Sequence, residues 1–541
     1  KTLANAPADA ASWLGLAPQV NQLLVFLVDP RPKVRRRAAQ GVQEILSTLR
    51  ANGAEHALAQ VSELLLKACQ VILPGPEAAA RAAAAASHKQ RATAEEAITK
   101  AVSDALHLLG ALKTAAPSLS GAGARGVTEL LLKLFPLHQP LLSRHAAEAL
   151  SALVAAEPGP LSATELADLL KYILDFQEMW KASGKEQELT SLALRLVERG
   201  LVTLSSRDWS IAGPVLARAV NTVVPLLASE SESVRYAASQ TLTAFFRGSA
   251  LFPLNLAASN AALSTTSCLK QEMVDEALMM MDKSHVSSSS NISSSAAAAA
   301  AAPTALQQVI TAAAAALNAH YQSAWHLALP IVGALFERLG ELNAGALAAP
   351  LLHPLGELCA GVMEADAQDA LRADVSSKVS AAEAAMGAAL RALGPRVVLE
   401  ILPLRLKEGL DGAAEPRTWL LPLLRRHVRA AGLGFWAKNL LPLAKACGDR
   451  AVALSAQGKS NLALTVRALE LQLWHCLPAC VSWATDLPAT YKAVVPSLAG
   501  AFNARPDLRP AICQALVRMH LQVRKVLKED IGGGGGGGGG G

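Results

Sequence analysis

RVVLEILPLRL (396–406), EPRTWLLPLLRRHV (415–428) and LGFWAKNLLPLAK (433–445) carry the same break in close succession, an apolar run interrupted by Leu-Pro. Around each break the apolar spacing is helical. Pro403, Pro422 and Pro442 cannot donate a backbone hydrogen bond, and each ring collides with the turn before it, so each marks a helix start or a kink. Trp419 and Trp436 lie beside these breaks and are large enough to wedge one helix pair against the next. The stretch reads as stacked helical hairpins, and nothing in it reads as catalytic.

The composition around it agrees. Of 541 residues, 52% are hydrophobic but only 4% aromatic. The apolar mass is therefore Ala and Leu, the strongest helix formers. Alternating Val and Ile runs are scarce, and no convincing hairpin signal stands out. A chain this long exceeds one compact core, which leaves several domains or one elongated repeat array. The net charge of +6 comes from 50 basic and 44 acidic residues, a balance that permits an RNA partner without requiring one. The seven cysteines are odd in number and irregularly spaced; they predict no disulfide framework and a reducing compartment. No secretory signal opens the chain. No run of about 18 apolar residues demands a bilayer once the Ala-rich stretches are set aside. The start at Lys1 and the all-glycine end suggest an internal piece of a longer protein.

Upstream, NQLLVFLVDPRPKVRRRAAQGVQEILSTLR (21–50) reads as a hairpin. Leu23, Leu24, Phe26 and Leu27 form a short buried helix, which Asp29-Pro30 ends. Pro32 suits the first turn of the next helix. There Val34, Ala38, Val42, Ile45, Leu46 and Leu49 fall on one stripe at spacings of three and four. The pattern D-x-x-x-K-V-R-x-x-A belongs to the inner helix of a HEAT repeat: Asp caps or pairs at the turn, Val and Ala pack inside, and Arg reaches the neighbouring repeat. ESESVRYAASQTLTAFF (230–246) repeats it at Val234, Arg235 and Ala238, and LLSRHAAEALSALV (141–154) is a looser copy. Repeats of this kind run to roughly 40–47 residues. The predicted fold class is all-α, an α-solenoid of HEAT/armadillo-like helical repeats wound as a superhelix.

The domain reading follows. Residues 1–20 are a flexible lead-in and 21–281 a first array. Within it, 75–92 is an exposed Ala-rich helix or a disordered insertion, and 117–124 a loop. Residues 282–303 are a low-complexity disordered linker. Residues 304–531 are a second array, with Tyr321, Trp325, Leu329, Val332, Leu335 and Phe336 on one apolar face and Gly340 as a C-cap. Residues 532–541 are a poly-Gly linker.

The ordered series Glu400–Leu406, Glu415–Arg425, Gly434–Ala444, Leu471–Cys480 and Thr485–Pro488, together with Asp29–Arg35 and Tyr321–Gly340, resembles the ribosomal RNA-processing protein 12 family of HEAT-repeat factors. The resemblance implies a non-catalytic scaffold in small ribosomal subunit (pre-40S, processome) assembly, pre-rRNA processing and nuclear export. It implies a nucleolar and nuclear location with shuttling to the cytoplasm. The implied partners are pre-rRNA and small-subunit assembly factors, with Ran or nucleoporins in export, and no membrane, small-molecule substrate or cofactor. The rival is a HEAT-type nuclear transport receptor or adaptor that binds protein cargo without RNA.

Three basic clusters are the candidate RNA or partner contacts. They are Arg31, Lys33, Arg35, Arg36 and Arg37; then Arg425, Arg426 and Arg429 beside His427; then Arg524 and Lys525, with Arg518 and Lys528 near them. Each has a bland alternative, a solvated helix face. Cys476 and Cys480 beside His475 lack the four ligands of a zinc site and read as core. Phosphate-loop, dinucleotide and nucleophile-elbow motifs are missing, and Glu95-Glu96 reads as a solvated pair. Trp419, Trp436 and Trp474 read as core between repeats, with base stacking by an exposed Trp as the alternative.

Overall fold

The computed structural model describes residues 10–85, 91–137, 139–156, 159–176, 187–247, 267–289, 303–369 and 373–533. Among them every regular element is helical. The chain divides into two compact units, Lys1–Met273 and Val274–Gly541.

In the first unit the helices Pro32–Ala51, Arg91–Ala115, Pro140–Val154, Gln187–Arg207 and Glu232–Arg247 stack in one row, each against the next. A second row covers it: Glu55–Ile72 packs on Ala10–Val25 and Gly121–Leu132, and Ala163–Asp175 on Trp209–Val223. This is a two-layer helical solenoid, as the stripe predicts. Ala38, Val42, Ile45, Leu46 and Leu49 are all buried, while Val34 is only half-buried. By length and composition Glu55–Ala85 and Trp209–Ala228 could cross a membrane, but 39% and 61% of their apolar windows are buried inside the fold.

Several expectations need correction. The lead-in is helical from Ala10, because Val20 and Leu24 on that helix join the core; residues 1–9 lie outside the described residues. The 117–124 loop is a 3-10 turn, Ala116–Ser118, followed by the Gly121–Leu132 helix. Ser120 caps that helix by accepting from the Gly123 amide at 3.2 Å, as an N-cap serine does. Gly123 is a glycine for packing, since a Cβ there would stand 2.6 Å from that of Ser62. Of the 75–92 insertion, Gly75–Ala85 is helical and 86–90 lie outside the described residues. The arginine of the repeat, expected to reach the neighbouring repeat, spends its guanidinium hydrogen bonds on its own turn. Arg35 Nη1 donates to the carbonyls of Asp29 (2.7 Å) and Pro30 (2.9 Å), and Arg235 Nη1 to that of Ser229 (2.9 Å). In both copies the guanidinium folds back six residues and closes its own turn.

In the second unit Trp325–Glu341, Ala373–Ala392, Leu420–His427, Leu477–Cys480 and Arg509–Gly533 form the continuous row. Ala305–Ala315, Ala349–Asp369 and Gly394–Ile401 flank its start. The Gln271–Ser289 helix runs into the expected 282–303 linker, of which 290–302 lie outside the described residues. The Leu-Pro series acquires a physical meaning. Leu441-Pro442, Leu477-Pro478 and Leu487-Pro488 are the first two residues of their helices, and Pro422 is the third of its own. At the start of a helix the missing N–H costs nothing, and the leucine before each proline is buried. Pro403 instead follows the end of the Gly394–Ile401 helix. A π turn at Trp436–Leu440 precedes Pro442, widening the helix where the ring would meet the preceding turn.

Leu329, Val332, Leu335 and Phe336 are buried as expected, but Tyr321 and Trp325 are only half-buried. Gly340 lies inside the Trp325–Glu341 helix, and Asn343 takes the left-handed position beyond it, φ 54°. Gly340 is required because a Cβ would come within 2.4 Å of the Ala392 carbonyl. Trp436 and Trp474 are core, packed edge to face with centroids 5.0 Å apart. Trp419 is not: it is half-buried and lines a depression.

Candidate nucleic-acid interface

The first basic cluster divides by role. Arg31 is the residue before the Pro32–Ala51 helix, and its guanidinium grips Asp29 with both arms at 3.0 Å. That hydrogen bond holds the Asp29 carboxyl below its ordinary range. Arg35 closes the turn, as described above. Lys33, Arg36 and Arg37 remain exposed. At i, i+3 and i+4 they share one helix face, opposite the stripe of Ala38, Val42 and Ile45. Arg37 makes one long bond, 3.4 Å, to Gln40. Three cations on a rigid face can engage successive phosphates; the two holding the turn cannot without releasing it. Arg35 also borders a broad depression lined by Glu95, Glu96, Lys100 and His107. Burial and the nearby Arg35 charge push the His107 imidazole below its usual range.

The second cluster ends the Leu420–His427 helix, where cations oppose the negative end of the helix dipole. Arg426 pairs with Glu383 at 2.7 Å and Arg391 meets His427 Nδ1 at 2.6 Å. Burial, then the Arg391 and Arg426 charges, lower the His427 pKa. Arg425 and Arg429 are exposed. Arg425 borders a depression of about 430 Å³ with Pro422 and Gln472. Alongside, a depression of about 660 Å³ is lined by Arg405, Arg417, Trp419, Glu357, Glu415 and His353 among others. Its Arg417 is committed to the Pro403 carbonyl at 3.0 Å, and two carboxylates balance its two guanidinium groups.

In the third cluster Arg518 is internal, donating to the Pro478 carbonyl (2.7 Å) and to Ser482 Oγ (2.9 Å). Arg524 and Lys525 are exposed, and the side chain of Lys528 lies outside the described residues. Lys525 Nζ stands 4.7 Å from the ring centroid of Trp483, which is 58% exposed. The structure brings this cluster to the second one. The amide of Ala430, next to Arg429, donates to the Ser482 carbonyl at 2.7 Å, just before Trp483. The first cluster lies in the other unit. Trp483 was the residue sequence reasoning passed over. Its signal was weak but present: Ser482 and Ala484 flank it, where leucines follow Trp419.

The cysteines are core. Burial pushes the Cys476 thiol up to about 12 and Cys480 well above its usual value, so both are protonated thiols. Among the described residues no group of three or more His, Cys, Asp or Glu is placed to hold a metal ion.

Comparison with known proteins gives this architecture a family. The family described as ribosomal RNA-processing protein 12, HEAT repeats, matches residues 228–530, more than half of the chain, and a second described as RRP12-like, N-terminal HEAT repeats, matches 2–158. The chain belongs to the ribosomal RNA-processing protein 12 family. The RRP12-like protein of Homo sapiens is 26% identical over 499 residues, which is 91% of this chain and 33% of that protein. Ribosomal RNA-processing protein 12 of Saccharomyces cerevisiae is 28% identical over 136 residues, 25% of this chain and 11% of that one. The chain thus spans about a third of the length of the human relative. An engineered protein of known structure aligns over 93% of this chain and 98% of its own at 14% identity, with a TM-score of 0.32, too low to bear on function. Within the RRP12 family frame, the Leu-Pro series falls inside the 228–530 match and the Val-Arg-x-x-Ala hairpin at Asp29 inside the 2–158 match.

Proposed function

We propose that this chain is a non-catalytic HEAT-repeat scaffold that holds precursor ribosomal RNA and assembly factors during maturation of the small ribosomal subunit, in the nucleolus and nucleus. Nuclear export with nucleoporins or Ran extends the same reading. The observation that carries it is the match of both ends of the chain to ribosomal RNA-processing HEAT repeats. The geometry supports it in a second way. Perturbed groups such as the buried Cys476 thiol and the capping carboxylates Glu165 and Asp208 serve the fold. Exposed cations, by contrast, gather at Lys33, Arg36 and Arg37 and around Arg429, Arg524 and Lys525. Repeats that contact only their neighbours give a long surface that can follow a large ligand, and phosphate contact is what such clusters do.

The test is ultraviolet crosslinking of the tagged full-length protein in cells, with sequencing of the attached RNA. Small-subunit precursor RNA is the expected product. Recovery of Ran and unrelated cargo, with no precursor RNA crosslinked, would overturn the reading.

A further inference from the structure

Trp483 occupies a backbone conformation that a bulky residue avoids. Its φ is 62°, in the left-handed region where a side chain crowds its own carbonyl. Its indole gains no burial in exchange. The surroundings enforce the arrangement. The amides of Ala430 and Gly432 take the Ser482 and Cys480 carbonyls at 2.7 and 3.1 Å. On the other side the Arg509–Gly533 helix clamps the segment. Arg518 bonds Pro478 and Ser482, and Gln522 Nε2 donates to the Ala484 carbonyl at 2.7 Å. A rigid backbone thus presents a strained, outward-facing aromatic ring, and strain of this kind persists where a site needs it.

Cations stand beside the ring. Lys525 lies over it, Arg524 is the neighbouring residue on the helix, and Arg429 adjoins the Ala430 bond that fixes the loop. The nearest acid in sequence, Asp486, is turned inward, accepting from the Leu433 and Gly434 amides at 2.9 and 2.7 Å. A flat apolar face rimmed by cations suits a polyanion that carries flat apolar rings.

We propose that Trp483 is a stacking platform for an unpaired base of single-stranded RNA, with Lys525, Arg524 and Arg429 holding the adjoining phosphates. Stacking of this kind tolerates any base and demands an unpaired one. The inference rests on the RNA-scaffold reading and adds to it a place and a strand type.

The experiment measures binding of a fluorescein-labelled single-stranded oligouridylate, and of a perfect RNA duplex, by fluorescence polarisation on the full chain. Trp483→Ala is expected to weaken single-strand binding by about five- to a hundredfold, the loss of one stacked base, and to leave duplex binding within about twofold. Trp483→Phe should recover most of the loss. Trp483→Gly should lose affinity like the Ala variant while melting no lower than the parent, because glycine relaxes the left-handed φ. Single-strand affinity within about twofold in Trp483→Ala overturns the site while leaving the scaffold standing; loss of a protein partner in that variant would reassign the ring to protein docking. A lower melting temperature in Trp483→Gly overturns it too, making the indole a packing residue. No affinity of the intact chain for either RNA overturns both readings.

Discussion

The two units solve one problem in different ways. In Lys1–Met273 the solution repeats: Arg35 and Arg235 close their turns with the same backward reach. Among the described residues of that unit only Gly53 has a positive φ. In Val274–Gly541 the solutions are single. Asn343, Arg405, Ala430 and Trp483 all stand at positive φ, a π turn interrupts one helix, and Glu470 is buried against Arg505. Each left-handed non-glycine residue costs on the order of 1–2 kcal/mol. The first unit therefore uses one turn device at least twice. The second holds local strain that its neighbours must keep in place, and it carries the exposed indole of Trp483.

The strongest way to break this contrast is at the buried ion pair. Glu470 is 5% exposed and meets Arg505 Nη1 at 2.9 Å. Arg505→Ala should destabilise by about 3 kcal/mol by leaving that carboxylate only Arg467, 3.9 Å away, with Glu470→Gln in the same chain restoring part of it; denaturant unfolding measures both. If the single substitution costs under about 1 kcal/mol, the second unit does not depend on one-off contacts. Next come the turn clips. Arg35→Ala and Arg235→Ala should each cost about 1.5–3 kcal/mol, as charged hydrogen-bond donors do, and by similar amounts. Unequal losses would show that the two copies are not one device. A smaller effect reverses sign between units. Ala430→Gly should stabilise by up to about 1 kcal/mol by relaxing φ, whereas Ala39→Gly in the Pro32–Ala51 helix should cost about 1 kcal/mol.

The smallest effect is that of pH. His107 in the first unit, and His427 and His475 in the second, have imidazoles depressed by burial and nearby arginines. A depressed folded value means the unfolded chain binds protons more readily, so stability rises with pH and is lost on acidification. The loss should begin below the ordinary histidine value of about 6.5 and be steeper for the second unit. His427→Gln should flatten that slope between about pH 6.5 and 5, read from the melting temperature. A slope of opposite sign would refute the burial of these rings.

The fold was legible because it rests on spacing. Ala38, Val42, Ile45, Leu46 and Leu49 lie at helical intervals, and burial follows from geometry alone. The Leu-Pro series was legible as punctuation for the same reason. What could not be read were features that depend on a distant carbonyl. Arg35 looked like a free cation because its acceptors are backbone oxygens, which no side-chain pattern displays. Gly340 looked like a cap because the Ala392 carbonyl that excludes its Cβ lies on another helix. Trp419 and Trp483 differ from Trp436 and Trp474 through backbone path and packing, not through residue type. Of the candidate interface, the clusters were visible as charge. Which cations are already engaged was not.

The backward reach of Arg35 and Arg235 bears on how the molecule is made. A bond that spans six residues can close as soon as those residues leave the ribosomal exit tunnel, long before a later repeat has been translated. Bends sealed so early are local contacts, the kind that favours fast folding, whereas the leucine stripe of the Pro32–Ala51 helix is covered only once Glu55–Ile72 and Arg91–Ala115 have been made.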